Sequence, residues 1–203
     1  MATIIKINPD NPQERQLNQV IDVLNSGGII IFPSDTVYAM GCNIHHPKAM
    51  KKLADIKGIK LEKAKFSIVC NNLSHLSEFT KPIDSSIFRL LKQHLPGPFT
   101  FILEAGKALP AAYKGHKTIG IRVPDHSIPQ KIVELLGSPI ASTSIKDEDE
   151  IIEYTTDPEL IAEKFNKMVD IVIDAGYGGN IASTVIDLTS GEPEIIRQGK
   201  GEL

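Results

Sequence analysis

GIIIFPSDTVYAMGC, from Gly28 to Cys42, is the stretch from which the fold is read. Ile29, Ile30, Ile31 and Phe32 form an unbroken apolar run rich in β-branched residues, which suits a strand buried on both faces. Pro33 offers no backbone N–H to a sheet ladder, so the strand is expected to stop there. Ser34, Asp35 and Thr36 then set three small oxygen-bearing side chains just past its end. Open α/β sheets bind ligands beyond the carboxyl ends of their strands. An ordinary turn would use the same residues, because they bond readily to nearby backbone. Tyr38 and the Gly41-Cys42 pair are expected where the chain turns again.

Outward from this stretch, apolar segments alternate with helical patterns. Thr3 to Ile7 reads as an opening strand, and Asn11-Pro12 as the start of a helix with Leu17, Val20, Ile21 and Leu24 on one face, ended at Gly27. Pro47 opens a second helix, and Phe66 to Cys70 is a strand. Asp84 is expected to cap a helix that buries Ile87, Phe88, Leu91 and Leu95. Leu95-Pro96-Gly97-Pro98 breaks it before a strand at Phe99 to Leu103. Further strands are read at Thr118 to Val123, Pro139 to Ser142, Val169 to Ile173, Ser183 to Leu188 and Glu194 to Arg197. Helices lie at Ser127 to Leu136, stopped by Gly137, and after Asp157-Pro158. With no repeat and no long linker, residues 1–203 read as one α/β domain.

Composition is that of a globular chain: 203 residues, 41% hydrophobic, 23% charged. No run reaches the length of a membrane span, and no signal peptide is evident, so a cytoplasmic location is expected. Cys42 and Cys70 lack any metal-ligand spacing, and no metal site is expected. His45 and His46 are read as facing solvent. The formal charge of −3 is unevenly spread. Seven lysines stand between Lys48 and Lys65, and eight acids with no base stand between Asp147 and Glu163. The lysine run can gather an anion near the Ser-Asp-Thr loop.

Three segments share one design: Ser34-Asp35-Thr36, Thr118 with Arg122, and Ser142-Thr143-Ser144. Thr118 and Arg122 are four apart, so on a strand they share a face. Hydroxyls and backbone N–H groups cradle phosphate, and an arginine fork matches phosphate or carboxylate. Arg197 is a second such fork.

PSDTVYAMGC resembles the PTDTVYGLGC signature of the YrdC-like threonylcarbamoyl-adenylate synthase family, and Lys57-Gly58, LPGPFTFIL, IGIRVPDH, PIASTS, ASTVIDL and IIRQG continue the likeness in order. The resemblance implies a twisted mixed β-sheet flanked by helices around a deep groove. It implies conversion of L-threonine, bicarbonate and ATP, with Mg2+, into threonylcarbamoyl-adenylate and pyrophosphate for the modification of tRNA. By the same resemblance Thr36, Arg122 and Ser142 would serve L-threonine, with Arg122 on its carboxylate. Thr118, Ser144 and Arg197 would serve ATP, and Lys57 would join Arg122 in catalysis.

The sequence also departs from the family pattern. Ile59 stands where the family has an arginine, Val69 falls near its histidine, and Ser144 to Asp149 replaces a neutral, glycine-containing segment with acids. These departures resemble the YciO branch and imply reduced or altered synthase activity. The alternative is a module that binds double-stranded RNA or tRNA without synthesis, through Lys48, Lys51 and Lys52. The acid substrate, the RNA partner and the oligomeric state stay open.

Overall fold

The structure, a computed structural model, describes residues 2–145 and 153–203. Ten strands follow in chain order: β1 Thr3–Lys6, β2 Ile30–Phe32, β3 Ala39–Asn43, β4 Ser67–Val69, β5 Phe99–Glu104, β6 Thr118–Arg122, β7 Ile140–Ser144, β8 Ile171–Asp174, β9 Thr184–Asp187 and β10 Glu194–Arg197. The helices are α1 Glu14–Asn25, α2 Pro47–Ile56, α3 Leu73–Glu78, α4 Ser85–His94, α5 Ser127–Leu136, α6 Glu153–Thr156 and α7 Pro158–Lys164.

All ten strands join one sheet in the order β1-β8-β2-β3-β7-β4-β6-β5-β9-β10. The sheet is mixed. Strand pairs β1/β8, β2/β8, β4/β6 and β5/β9 run parallel and the others antiparallel.

Alternation along each strand sorts the side chains onto two faces. One face sends Ile29, Ile31, Met40, Cys42, Ile68, Phe101, Ile119, Ile121, Val172 and Ile186 into a core shared with Met50 and Leu53 of α2, Leu91 of α4 and Ile161 of α7. The other face is apolar only over its first part. There Ile5, Ile30, Phe32, Val69, Ile140, Ile171 and Ile173 pack under Leu17, Val20 and Leu24 of α1 and Ile128, Ile132 and Val133 of α5. Farther along, on β6, β5, β9 and β10, the same face carries Thr118, Gly120, Arg122, Thr100, Ile102, Val185, Asp187 and Arg197, which line a cavity.

Several local expectations are corrected. Gly41 and Cys42 lie within β3, which pairs antiparallel with β2 after the short Ser-Asp-Thr loop. Helix α1 begins at Glu14, not at Asn11-Pro12, and Gln13 at its N-cap makes no side-chain cap bond. Phe88 is 40% exposed, because α4 buries fully only Leu91. Asp84 occupies the N-cap of α4 without bonding through its side chain. His46 is no solvent-facing residue: its Nδ1 accepts from Ala49 N–H at 3.3 Å and caps α2. α5 spans the expected residues, and Gly137 ends it at φ +66°, a left-handed turn that glycine adopts without strain.

Candidate active site

The cavity has a volume of about 720 Å³. Its floor follows from strand register. Arg122 on β6 lies across from Thr100 on β5, since Phe101 pairs with Ile121, and Thr100 pairs in turn with Val185 and Val185 with Arg197. Two residues back, Ser142 pairs with Ser67, Ser67 neighbours Gly120, Gly120 pairs with Ile102 and Ile102 with Asp187. Strand spacing of about 4.8 Å puts Arg122 and Arg197 roughly 14 Å apart, three strands over. Lys63, Lys65, His116 and Lys117 add walls from two loops. Five cations, Lys63, Lys65, Lys117, Arg122 and Arg197, thus line a space that holds two carboxylates, Glu62 and Asp187.

Arg122 is 8% exposed. Its Nη2 donates to Asp35 Oδ1 at 2.9 Å and to Thr36 Oγ1 at 3.0 Å. Asp35 Oδ2 accepts from Asp125 N–H at 3.1 Å, and the Asp35 carbonyl accepts from Lys200 Nζ. The Ser-Asp-Thr loop therefore sits behind Arg122 and fixes it, while Arg122 itself faces the cavity. Burial lowers the Arg122 pKa, Asp35 raises it, and the nearby charge of Arg197 lowers it. Two guanidinium groups that repel across one cavity make it receptive to anions. Arg122 Nε is buried with no partner among the described residues. An unmet buried donor costs about 1–3 kcal/mol.

Arg197 is held by Ser183: Nη2 and Nε donate to its carbonyl at 2.7 and 3.2 Å. Ser183 Oγ lies 2.8 Å from Thr100 Oγ1, which ties the β9 end of the floor to β5.

The expected residues fall into three groups. Thr118, Arg122, Ser142, Ser144 and Arg197 line the cavity together. Thr36 is 1% exposed and reaches the cavity only as a partner of Arg122, whereas Lys57 donates from Nζ to the Ser144 carbonyl at 3.3 Å. Of the lysines, Lys51 pairs with Asp55 at 2.7 Å and Lys52 with Asp170 at 2.9 Å, and neither they nor Lys48 lines the cavity. Lys63 and Lys65 do. Ile59 is 41% exposed and off the lining. Asp147, Glu148 and Asp149 lie outside the described residues.

Ser67, Thr100, Gly120, Ser183, Val185 and Asp187 also line the cavity, and the sequence assigns none of them a role. The available signal was a polar or small residue at alternate positions of apolar strands, as at Thr100 within Phe99–Glu104.

Among the described residues the cavity lining carries no cysteine and no tyrosine. Burial pushes the Cys42 thiol up to about 12 and the Cys70 thiol higher still. Tyr38, also raised by burial to about 12, remains a donor to the Gly176 carbonyl at 2.8 Å. Among the described residues no group of three or more His, Cys, Asp or Glu could hold a metal ion, and no helix is long and apolar enough to cross a membrane.

A mixed sheet with an arginine-flanked, hydroxyl-floored cavity makes this an α/β protein with a cation-lined candidate site. A family model described as Sua5_yciO_yrdC, Telomere recombination, matches residues 22–199, and the chain belongs to this Sua5/YciO/YrdC family. It is 39% identical over 206 residues to the uncharacterized protein YciO of Escherichia coli, covering 100% of this chain and 98% of that protein. The crystal structure of E. coli YciO superposes with a TM-score of 0.90 at 40% identity, again covering 100% and 98%. Threonylcarbamoyl-AMP synthase of Pyrococcus abyssi is 29% identical over 98% of this chain and 58% of its own length. The crystal structure of P. abyssi Sua5 complexed with L-threonine gives a TM-score of 0.85 at 28% identity, over 98% of this chain and 58% of that one.

Proposed function

We propose that the protein is a threonylcarbamoyl-AMP synthase-type enzyme of altered activity, joining L-threonine, bicarbonate and ATP. The observation that carries this reading is the shared floor. Thr118 and Arg122 stand on one strand face, with Ser142 and Ser144 on one side and Arg197 on the other. Sequence and structural likeness to the P. abyssi proteins supports it. Arg122 and Ser142 would hold the amino acid, Arg122 through its carboxylate. Thr118, Ser144 and Arg197 would hold the nucleotide. Lys57, on the Ser144 carbonyl, and Thr36, on Arg122, would act by fixing those partners.

In the reaction, bicarbonate carboxylates the threonine amine with loss of water. A carbamate oxygen then bonds to the α-phosphorus of ATP, whose bond to the pyrophosphate oxygen breaks. Proximity and charge neutralisation suffice for such a step, and both are what a cation-lined cavity supplies. Mg2+ suits ATP through phosphate oxygens and water, not a protein cage, which agrees with Glu62 and Asp187 being the only carboxylates on the described lining.

The test is pyrophosphate release with ATP, Mg2+, bicarbonate and L-threonine. Arg122→Ala is expected to lower it by about two orders of magnitude or more, and Arg122→Lys to restore only part, since the forked geometry is lost. Release from the unaltered protein no greater than from Arg122→Ala would end the synthase reading.

The second reading is a binder of structured RNA, favoured by the lysines on the cavity wall. Its mark is binding that weakens steeply with salt.

A further inference from the structure

We propose that the two substrates meet over the bare backbone of Gly120, and that its missing side chain is what lets them join; this rests on the synthase reading of the cavity. Gly120 sits midway between Thr118 and Arg122 on the same face of β6. At about 3.4 Å per residue the two flanking residues are roughly 14 Å apart along the strand, so a point over Gly120 is roughly 7 Å from each. An amino acid held by its carboxylate at Arg122 carries its amine two bonds from the carboxylate carbon, so the amine falls within the span between Arg122 and Gly120. A nucleotide held at Thr118 brings its α-phosphate from the other side. Neighbouring strands complete the spot with Ser67 and Ser142 on one flank and Ile102 and Asp187 on the other.

The backbone does not ask for glycine here. Gly120 is not among the glycines with positive φ, and glycine within a strand weakens it. Space is the remaining reason. A Cβ would stand 2.7 Å from Ser67 Oγ, 3.4 Å from Thr100 Cγ2 and 3.5 Å from Ser67 Cβ. Removing the Ser67 hydroxyl would admit the Cβ without a clash, and the methyl would then occupy the floor between the two binding residues.

The Ser67→Ala/Gly120→Ala pair, measured against Ser67→Ala, isolates that methyl. Calorimetric titration gives the affinity for ATP with and without saturating L-threonine, and pyrophosphate release gives turnover; circular dichroism confirms folding. Each ligand alone is expected to bind within about threefold of the Ser67→Ala control. With L-threonine saturating, ATP affinity is expected to fall at least tenfold, and pyrophosphate release at least a hundredfold. ATP binding that ignores L-threonine, together with undiminished release, would overturn the proposal. So would loss of either ligand when tested alone, which would make Gly120 part of one subsite and not the junction. If the unaltered protein binds no ATP at all, the synthase reading falls and this inference with it; if it binds both ligands and only the coupling is missing, this inference alone falls. Should the Ser67→Ala pair fail to fold, Ser67→Gly/Gly120→Ala leaves more room and carries the same measurement.

Discussion

Arg122 faces the cavity with its counterion already in place. The side chains of Arg122 and Asp35 are 10% and 8% exposed, so little solvent screens their 2.9 Å contact. Breaking a buried pair by removing one partner costs about 3–5 kcal/mol, because the other charge is left uncompensated. Arg122→Ala and Asp35→Ala are each expected to destabilise by roughly that amount, Asp35→Ala more, since Asp35 also holds the Asp125 N–H. The double variant should lose clearly less than the sum, with a coupling of about 1–3 kcal/mol. Urea unfolding of the four proteins measures this, and simple additivity would show that the pair does not act as one unit. The pair also bears on ligand binding. An anion at Arg122 meets a cation whose charge is partly balanced from behind by Asp35, so the charge of Arg197 across the floor adds an attraction that Asp35 does not offset.

Helix α5 carries a cap that titrates. His126 Nδ1 accepts from Ile128 N–H at 3.3 Å, which requires a neutral nitrogen. Burial holds the His126 pKa below its ordinary 6.5, against the opposing pull of Asp35 and Asp125. The unfolded chain therefore takes up a proton near pH 6.5 that the folded chain refuses, and stability falls as pH drops through that value. His126→Asn keeps a capping acceptor without the titration. Its urea midpoint should depend less on pH between about 5 and 6.5 than that of the unaltered protein, and equal slopes would refute the cap as the source. His75, also lowered by burial, is present in both proteins and cancels. At this scale the sequence was most legible where apolar alternation was clean. β5, β6, β9 and α5 carry it, and the shared face of Thr118 and Arg122 followed directly from their spacing. β3 is hidden because Ala39-Met40-Gly41-Cys42 has no β-branched residue and holds a glycine, unlike the isoleucine run of β2. α3, at six residues, is too short to show a helical period. The floor residues Ser67, Thr100 and Asp187 are hidden because a site spread across the strands from β7 to β10 leaves only a few residues on each. Only the register between distant strands brings them together.

Over the whole molecule the charge is −3, yet the cavity gathers cations. A concave, low-dielectric wall of one sign focuses its field and draws anions despite the opposite net charge. This ranks the lysines differently from their order in the sequence. Lys51 and Lys52 stand opposite Asp55 and Asp170, so their fields are largely cancelled at a distance. Lys63 and Lys65 border the cavity and add to Arg122, Lys117 and Arg197. For a structured RNA, contacts to phosphate dominate affinity, and each one lost lowers the slope of log affinity against log salt by about one. Lys63→Glu/Lys65→Glu is expected to weaken such binding at least tenfold at low salt and to lower the slope by about two. Lys51→Glu/Lys52→Glu should do less on both counts. Because the first pair also borders the proposed nucleotide site, ATP should compete with RNA for the unaltered protein. Filter binding across a salt series, with and without ATP, reads all three quantities. Equal losses from the two pairs, or RNA binding indifferent to ATP, would move the RNA surface away from the cavity and onto the outer face of α2.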